Sequence, residues 1–394
     1  MDDADHDDDD ELVAAAIGVV GLWLVRRARG RIRRRQHDSV LAGRAYTREI
    51  MRTRNVNRFL AVNRMNKETF LQLKRLLTGQ KGKLKEQRLI SSEEKIMIFL
   101  QALKGLSVRV ICERFQHSSS TISLIVHDVM RSMLKCESQL FSKLDANTPL
   151  SDIIRGNRKF YPFFSNCDGA LDGTHIPAVV KFAEQGVFRN RKKFVSQNVL
   201  GVCNFHAIFI YALTGWEGSA HDSRVLNDAK LKGLPLRPGK FYLGDAGYAL
   251  SKYVLTPYRG TRYHLLEWCQ GQNRPKNKEE LFNLRHSSLR NVVERIFGIM
   301  KKRFPILVSM PSYPFISQCD LIYCAMMTHN FIRMNALFDD IFDEWIEPVQ
   351  LPQDLPEVID GDVAELNTWR DSIALAMWNA YLVELAARGI ALPN

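Results

Sequence analysis

The sequence predicts an α/β (α+β) fold in which a helical region precedes a mixed sheet. Two observations lead to this prediction. Apolar residues recur at helical spacing through residues 63–77 and 91–134. From residue 164 onward the pattern changes to short apolar or alternating runs, and a long helical stretch follows at 278–304. Strands and helices in this order are typical of a sheet covered by helices.

The helical region is predicted to end in three consecutive helices. Ser91 or Ser92 can cap the first helix, and Gly105 ends it. The second and third helices, at 107–115 and 120–134, are separated by a short polar turn. Two helices joined in this way match the helix-turn-helix pattern, in which small polar residues at the start of the second helix face the DNA major groove. The candidate DNA-contacting residues are Ser118, Ser119, Ser120 and Thr121. A plain helical hairpin is the alternative.

The second half of the chain is predicted to supply the sheet. The predicted strands are 169–180, 198–205, 206–214, 240–244 and 254–257, and the second and third of these form a hairpin. A helix is predicted at 219–230 between the third and fourth strands. Beyond the long helix, residues 339–361 are acidic and interrupted by proline, which indicates a linker or an exposed lobe. A last helix is predicted at 368–388.

The N-terminal segment combines three unlike stretches. Residues 2–11 are almost wholly acidic, residues 12–25 are apolar, and residues 26–35 contain seven arginines. The apolar stretch is shorter than the roughly 20 residues that a membrane-spanning helix needs, and an acidic lead does not fit a signal peptide. We therefore expect a short helix that packs on the body of the protein or on a partner, with a membrane anchor as the less favoured alternative. The arginine cluster resembles a nuclear-localisation or nucleic-acid-binding patch.

The charge is large and unevenly distributed. The net charge is +12 and the pI is about 9.4. Residues 26–109 carry 23 Lys or Arg against 6 Asp or Glu, whereas residues 338–366 carry 10 acids and no bases. Segregated positive charge favours a nucleic-acid-binding region over a uniformly solvated surface.

The number and spacing of the cysteines argue against a disulfide-stabilised domain and against a zinc-stabilised domain. The chain has seven cysteines and no CxxC pair. An odd number without that spacing speaks against a disulfide framework and against a structural zinc site. A reducing compartment, either the nucleus or the cytosol, is the expectation.

Three acids stand where a metal site is commonly built. Asp172 lies within a predicted strand, Asp245 follows the end of another, and Glu294 lies in the long helix. Each has an ordinary alternative: the aspartates can belong to turns, and Glu294 can pair with Arg290 four residues earlier. Together the three supply the hard oxygen ligands that Mg²⁺ or Mn²⁺ prefers. Two such ions about 4 Å apart can activate a water molecule and stabilise the leaving oxygen of a phosphodiester.

Four motifs in order carry a resemblance to a known family. They are 170–177 (ALDGTHIP), 218–226 (GSAHDSRVL), 242–248 (YLGDAGY) and 285–304 (RHSSLRNVVERIFGIMKKRF). Over residues 166–336 this pattern resembles the DDE endonuclease domain of PIF/Harbinger transposases and their host-derived nucleases, and the helix-turn-helix ahead of it is also similar. There are 72 residues between the two aspartates and 48 between Asp245 and Glu294.

The resemblance implies an RNase H-like catalytic domain that cuts DNA with divalent metal. By motif, Asp172, Asp245 and Glu294 become the catalytic and metal-binding triad, and Asp222 is a further candidate metal ligand whose role is less certain. The resemblance also implies DNA as substrate and a separate Myb/SANT-like DNA-binding partner protein. Two features depart from the family pattern: Asn204, where many relatives have an acid, and the acidic and apolar N-terminus.

The expected organisation has four parts. Residues 1–45 form the N-terminal segment, 46–150 the helical domain, 160–336 the nuclease domain, and 337–394 the acidic linker and last helix. The predicted function is hydrolysis of DNA phosphodiester bonds in the nucleus. A domesticated transposase that binds DNA or chromatin without cutting is the alternative, and homo-oligomerisation is left open.

Basic and imidazole side chains supply further candidates. Two basic strips can contact DNA phosphates, with solvated faces as the alternative. The first, ahead of the predicted hairpin, is Arg189, Arg191, Lys192 and Lys193, and the second, after Glu294, is Lys301, Lys302 and Arg303. Four histidines are candidates for a metal site, but none shows the HExxH spacing, and each is better interpreted as a hydrogen-bonded structural residue. They are His175, His206, His221 and His286.

Overall fold

The computed structural model describes residues 7–29, 37–142, 144–262, 274–336, 339–343 and 362–390. Residues 344–361 of the acidic segment and residues 30–35 of the arginine cluster lie outside the described residues, as does Cys269. The other six cysteines are free thiols.

The front of the chain is helical. Its helices are α1 (Asp7–Arg29), α2 (Gly43–Arg52), α3 (Val56–Asn63), α4 (Lys67–Thr78), α5 (Ser92–Leu103), α6 (Val108–Phe115), α7 (Ser119–Lys135), α8 (Glu137–Leu140) and α9 (Asp152–Arg155). Side-chain oxygens cap several of these helices by accepting an orphan backbone N–H. Ser91, Ser107 and Ser118 do so for α5, α6 and α7.

The back of the chain contains a five-stranded sheet with helices around it. The strands are β1 (Cys167–Pro177), β2 (Ser196–Cys203), β3 (Phe209–Glu217), β4 (Phe241–Leu243) and β5 (Val254–Leu255). The helices are α10 (Gln185–Phe188), α11 (Asp222–Leu231), α12 (Lys278–Arg303), α13 (Phe315–Asn335), α14 (Asp340–Asp343) and α15 (Val363–Ala387). The strand order is β3-β2-β1-β4-β5, so β1 is central.

The sheet is mixed. Strands β1, β2 and β3 pair antiparallel, whereas β4 and β5 join β1 in parallel. Because β4 pairs in parallel with residues 167–170 of β1, the end of β4 lies beside Ala170, two residues before Asp172. The predicted α/β (α+β) fold with a mixed sheet is confirmed, as is the predicted hairpin of the second and third strands.

Two predictions from periodicity need correction. The helix expected over 63–77 begins later than predicted: Asn63 is the last residue of α3, and Asn66 caps α4 by accepting from the Thr69 amide, so the helix is Lys67–Thr78. The apolar N-terminal stretch does not pack on the body of the protein, since residues 13–25 of α1 are exposed throughout. Packing on a partner stays a prediction.

Among the described residues, no helix combines the length and the apolarity needed to cross a membrane.

Helix α13 holds the two halves of the chain together. It packs on β3 on one side and on α7 on the other. Asn330 is fully buried on it: its side chain accepts from the Phe209 amide at 2.8 Å and donates to the Phe209 and Leu140 carbonyls at 2.8 and 2.9 Å. These bonds satisfy backbone groups on the outward side of the edge strand β3. One buried cluster runs continuously from the helical half into the sheet.

Candidate functional site

Asp172 stands in the middle of the central strand β1, opposite Gly201 of β2. Its Oδ1 accepts from the Gly173 amide at 2.8 Å. A Cβ on Gly201 would lie only 2.6 Å from the ring of Phe297 on α12 and 2.9 Å from that of Phe209. The absence of a side chain at Gly201 therefore lets α12 pack closely over the strand pair that carries Asp172.

Glu294 lies one helical turn before Phe297 and points at the same face of β1. Arg290, four residues earlier on α12, donates to both acids: its Nη1 lies 3.2 Å from Asp172 Oδ2, and its Nη2 bonds Glu294 Oε1. The guanidinium is 6% exposed. The pair with Glu294 expected from the i,i+4 spacing does form, and Arg290 also joins it to Asp172.

Asp245 follows β4 after a single residue, in a loop that several hydrogen bonds fix. Its Oδ1 accepts from the Gly247 amide at 2.9 Å. The Ser223 hydroxyl donates to the Gly247 carbonyl at 3.3 Å, and Arg259 donates to the Ala246 carbonyl. Because β4 runs parallel to β1, this loop lies at the sheet edge beside Asp172.

Asp222 approaches β1 from the opposite side. Side chains alternate along a strand, so Gly173 faces away from the side that carries Asp172. A Cβ on Gly173 would lie 2.7 Å from Asp222 Oδ1, and Asn198 Nδ2 donates to that oxygen at 2.8 Å. The glycine after Asp172 therefore makes room for a fourth carboxylate near the strand.

The acids are close enough to perturb one another. Burial raises the pKa of Asp172 to about 8; Arg290 opposes this shift, and the charges of Asp245, Glu294 and Asp222 add to it. Burial is also the main cause of a raised pKa for Asp222, and the charge of Asp245 contributes. The negative charge of Asp245 thus raises the pKa of Asp172 on one face of β1 and that of Asp222 on the other.

Tyr248 is a buried polar residue beside the same acids. Its side chain is 1% exposed, and within the described ranges its hydroxyl has no hydrogen-bond partner. Burial, followed by the charges of Asp222, Asp172 and Asp245, holds the pKa of this phenol well above its usual value. The phenol therefore stays neutral, as a donor next to carboxylates.

Lys301 adds a second cation on the same side of α12. It follows Glu294 by seven residues, two turns of helix, so the two share a face. Its Nζ donates to Thr174 Oγ1 at 2.8 Å and to the His175 carbonyl at 3.4 Å. Burial lowers the pKa of Lys301, and the nearby charge of Asp172 raises it.

The basic strip ahead of β2 is exposed and lies close to the acids. Residues 191–193 are exposed, and the charge of Arg191 lowers the pKa of Asp222 while Lys192 lowers that of Lys301. Arg189 Nη1 donates to the Lys193 carbonyl at 2.7 Å, which closes the loop. The candidate DNA-binding residues Arg191, Lys192 and Lys193 therefore border the acid cluster.

Among the residues that the structure describes, no group of three or more His, Cys, Asp or Glu side chains is arranged to hold a metal ion as it stands. The carboxylates of Asp172 and Glu294 are instead both paired with the guanidinium of Arg290. The donor set nevertheless fits a hard divalent cation: several carboxylates around one buried positive group, with raised pKa values at two of them.

The candidate groove-reading residues lie apart from the acids, on the helical half. Ser118 caps α7, and its Oγ accepts from the Thr121 amide at 3.2 Å. Ser118, Ser119 and Ser120 are exposed, so the start of α7 has a free face. The left-handed backbone of Gln116, at φ +56°, turns the chain from α6 into α7.

The four histidines have structural roles in this arrangement. They bond Ser196 Oγ (His175), Asp152 (His206), the Ser223 amide (His221) and the Leu255 carbonyl (His286). Asn204 ends β2 in a turn, because its Oδ1 accepts from the amides of His206 and Ile208 at 3.0 and 3.1 Å. The departure from the family pattern at Asn204 is thus a local turn contact, remote from the acids along β2.

Two models of known protein families match parts of this chain. The model described as DDE superfamily endonuclease matches residues 171–330, a range that contains all four acids. The chain carries a DDE superfamily endonuclease domain. Such a domain implies an RNase H-like fold, in agreement with the five-stranded mixed sheet. A second model, a domain of unknown function, matches residues 38–135 and therefore helices α2 to α7.

Curated relatives share this domain at low identity. "Protein ALP1-like" of Arabidopsis thaliana is 27% identical over 263 residues, 62% of this chain and 61% of the relative. "Putative nuclease HARBI1" of Homo sapiens is 25% identical over 245 residues, 61% of this chain and 65% of the relative. The chain is homologous to these harbinger transposase-derived proteins and spans less than two thirds of their length. No solved structure matches the chain significantly.

Three residues near the acids of the DDE domain were not predicted as part of the site. Arg290 was considered only as an ordinary helix partner, Lys301 only as part of a basic strip that can contact phosphates, and Tyr248 was not singled out. For the two cations a signal was available, because spacings of four and seven residues from Glu294 put them on its face of the helix. For Tyr248 the signal was weaker, since burial beside the acids depends on the fold.

Proposed function

We propose that this protein is a divalent-metal-dependent DNA nuclease of the transposase type, in which Asp172, Asp245 and Glu294 hold the metal ions. The observation that supports it most is the convergence of Asp172 and Glu294 on one buried guanidinium, within a domain of the DDE endonuclease superfamily. Asp245 belongs to the same electrostatic cluster, since its charge raises the pKa of Asp172. Asp222 is the fourth candidate ligand.

The side chains around the proposed metal site have two further roles, the orientation of the carboxylates and the binding of phosphates. Asp172 and Asp245 each have one carboxylate oxygen held by a backbone amide, so their orientation is fixed before any ligand arrives. When bound, Mg²⁺ or Mn²⁺ supplies Lewis acidity and a water of lowered pKa. Lys301 and the exposed Arg191 and Lys192 provide positive charge for the phosphates next to the bond to be cut.

DNA binding outside the acid cluster is assigned to the start of α7. The exposed hydroxyls of Ser118, Ser119 and Ser120, together with the half-buried Thr121, can meet base edges or phosphates in the manner of a recognition helix. The proposal also includes a nuclear site of action and a separate Myb/SANT-like DNA-binding partner. No observation favours the non-cutting alternative, and the human relative carries the word nuclease in its name.

A cleavage assay on duplex DNA in Mg²⁺ or Mn²⁺ tests the proposal. Asp172→Asn, Asp245→Asn and Glu294→Gln should each abolish cleavage, because each removes a negative ligand for a hard cation. All three proteins should stay folded, and Mg²⁺ should raise the melting temperature of the wild type alone, since only a ligand of the folded state stabilises it.

Matched controls separate the site from general charge loss. Asp152→Asn and Glu384→Gln remove exposed carboxylates elsewhere in the fold and should leave cleavage unchanged. A wild type that never cuts DNA with any divalent ion, although it is folded, would reject the nuclease. A Glu294→Gln protein that cuts at the wild-type rate would remove Glu294 from the site and direct attention to Asp222.

A further inference from the structure

A cationic cavity lies in the helical half, between α7 and the loop of residues 79–91 that joins α4 to α5. Its volume is about 330 Å³. Five cationic side chains and two carboxylates line it. The cations are Lys83, Lys85, Lys95, Arg131 and Lys135, and the acids are Glu86 and Asp128. The excess of positive charge suits a ligand with several negative charges.

The wall of this cavity is fixed. Ser132 on α7 is buried, and its hydroxyl lies 3.1 Å from the Leu77 carbonyl and 3.0 Å from the Gly82 carbonyl. A Cβ on Gly82 would lie 2.2 Å from the Leu77 carbonyl oxygen, so the loop backbone packs directly against the end of α4. Leu84 is 6% exposed and anchors the loop in the core. The cations therefore project from a rigid frame.

A buried lysine forms part of the lining. Lys95 is 2% exposed, and its Nζ lies 3.1 Å from Asp128 Oδ2. Asp128 also accepts from Arg131 at 3.2 Å, so one carboxylate serves two cations. A buried ammonium is costly unless it is paired, and here the pairing leaves the cavity net positive.

The other lining cations have no ion-pair partner within the described part of the chain. Lys83, Lys85 and Lys135 are exposed at the mouth. Glu86 is bonded to the Ser92 hydroxyl at 2.9 Å rather than to any of them. Lys83 also has a left-handed backbone, at φ +54°, which non-glycine residues rarely adopt. Such a conformation is commonly kept where a side chain must be presented in one direction.

The cavity lies along the same face of α7 as Ser120, one of the candidate groove-reading residues. At about 100° per residue, Ser120, Leu124 and Arg131 fall within about 40° of one another. All three are exposed. The rise of about 1.5 Å per residue puts Ser120 and Arg131 roughly 17 Å apart. A DNA duplex that lies along this face would therefore reach both the start of α7 and the cavity.

We propose that this cavity binds phosphate groups, and that the phosphates are those of the DNA backbone. The DNA source rests on the proposed function, whereas the phosphate chemistry rests on the cavity itself. A free polyphosphate is the other source of the same chemistry, and the experiment distinguishes the two.

DNA binding is measured by fluorescence anisotropy with a labelled duplex of arbitrary sequence, in EDTA so that no cleavage occurs. The triple variant Lys83→Ala/Lys85→Ala/Lys135→Ala removes three exposed cations of the cavity. It should bind more weakly, and its slope of log K against log salt should be shallower by about 1 to 3, since each lost phosphate contact removes about 0.9. The matched control is Lys67→Ala/Lys159→Ala/Lys252→Ala, which removes three exposed lysines outside the cavity and should keep the wild-type slope.

Inorganic tripolyphosphate identifies the source. One outcome is that tripolyphosphate raises the melting temperature of the wild type but not of the triple variant, while both proteins show the same salt dependence of DNA binding. In that case the cavity binds free polyphosphate, and the assignment to DNA phosphates is wrong. Equal slopes together with equal tripolyphosphate responses overturn the proposal.

The proposed nuclease function is tested separately, by measuring DNA cleavage by the wild type and by Asp245→Asn at low salt. A wild type that cannot cut DNA, but whose tripolyphosphate response needs the three lysines, rejects the nuclease and supports the phosphate site.

Discussion

Arg290 is the residue on which two candidate metal ligands of the DDE domain converge. Its guanidinium pairs with the carboxylates of Asp172 and Glu294, whose negative charges would otherwise repel each other. The side chains of these acids are 20% and 24% exposed. Removing the guanidinium with Arg290→Gln should lower the free energy of unfolding by about 1–3 kcal/mol, less than for a fully buried pair because water reaches both acids. The same change should increase the stabilisation by Mg²⁺, since the guanidinium no longer competes for the carboxylates.

Urea unfolding with and without Mg²⁺ measures both effects. Arg388→Gln breaks the exposed i,i+4 pair with Glu384 and is the control, with an expected loss of about 0.3–0.5 kcal/mol and no response to metal. A smaller Mg²⁺ effect in Arg290→Gln than in the wild type would show that Arg290 orients the acids for the ion instead of competing with it.

The raised pKa of Asp172 predicts a pH dependence with a definite sign. An aspartate in the unfolded chain has a pKa of about 3.9, whereas burial raises that of Asp172 to about 8. Between these values the folded protein keeps a proton that the unfolded chain releases, so the free energy of unfolding should fall as the pH rises from about 4 to about 8. Asp172→Asn should remove this contribution.

The measurement is urea unfolding in EDTA at several pH values for the wild type and two variants. The difference between wild type and Asp172→Asn should grow steadily toward pH 8, while the exposed Asp152→Asn should run parallel to the wild type. Because Asp172 must lose its proton to bind a cation, the stabilisation by Mg²⁺ should grow over the same range. A difference that does not vary with pH would contradict the raised pKa.

At the scale of elements, the contact of α12 with the sheet sets the position of Glu294. Gly201→Ala would place a methyl group 2.6 Å from the Phe297 ring, so the helix or the ring must move. Overpacking of this kind costs about 1–3 kcal/mol. We expect lower stability together with a loss of cleavage greater than the loss of folded protein explains.

A second-site change tests this geometry. Phe297→Leu removes part of the ring that the new methyl group would meet, so the double variant should recover cleavage relative to Gly201→Ala alone. Gly186→Ala is the control, because a Cβ there has no heavy atom within 4 Å. Equal cleavage by wild type and Gly201→Ala would show that the close approach of α12 is not needed to place Glu294.

At the scale of the whole molecule, α13 ties the helical half to the sheet. Asn330→Ala would remove three buried hydrogen bonds to the chain at Leu140 and Phe209. The Phe209 carbonyl would keep the Ser142 amide at 3.3 Å, whereas the Phe209 amide and the Leu140 carbonyl would lose their bond to Asn330. We expect a loss of about 2–6 kcal/mol, from the cost of about 1–3 kcal/mol for each of these two groups. Because the core is continuous, both halves should unfold in one transition.

Circular dichroism and tryptophan fluorescence during urea unfolding give the two readings. The exposed Asn227→Ala should change the midpoint little. Two separate transitions in Asn330→Ala, with the helical half unfolding at unchanged urea, would show that the halves are independent domains.

Much of the fold follows from local pattern. Helical spacing of apolar residues gave α6, α7 and the long α12 within a few residues, because these helices have one buried face and one more polar face. Helix α5 is buried almost throughout, and its bounds followed from the capping serines and from Gly105. The strands were found from their short apolar runs. Asp172 and Asp245 were noticeable as charges next to such runs, since a carboxylate beside a buried strand needs a reason.

Helix α13 escaped prediction for a physical reason. It is buried over most of its length, between β3 and α7, so polar residues mark no face that could reveal its period. The start of α4 was predicted four residues too early, because Met65 continues the apolar spacing across the break between α3 and α4.

The sequence by itself determined the order of elements, the mixed sheet and the four acids as candidates. Only the tertiary structure decided that Arg290 lies between Asp172 and Glu294, that Asp222 reaches the other side of β1, and that Lys301 and Tyr248 are their neighbours. The reason is the separation along the sequence of the residues that make these contacts. Periodicity and capping depend on residues a few positions apart, whereas the contacts of Asp222 with Asn198 and of Asp172 with Arg290 join residues that are 24 and 118 positions apart and that only packing brings together.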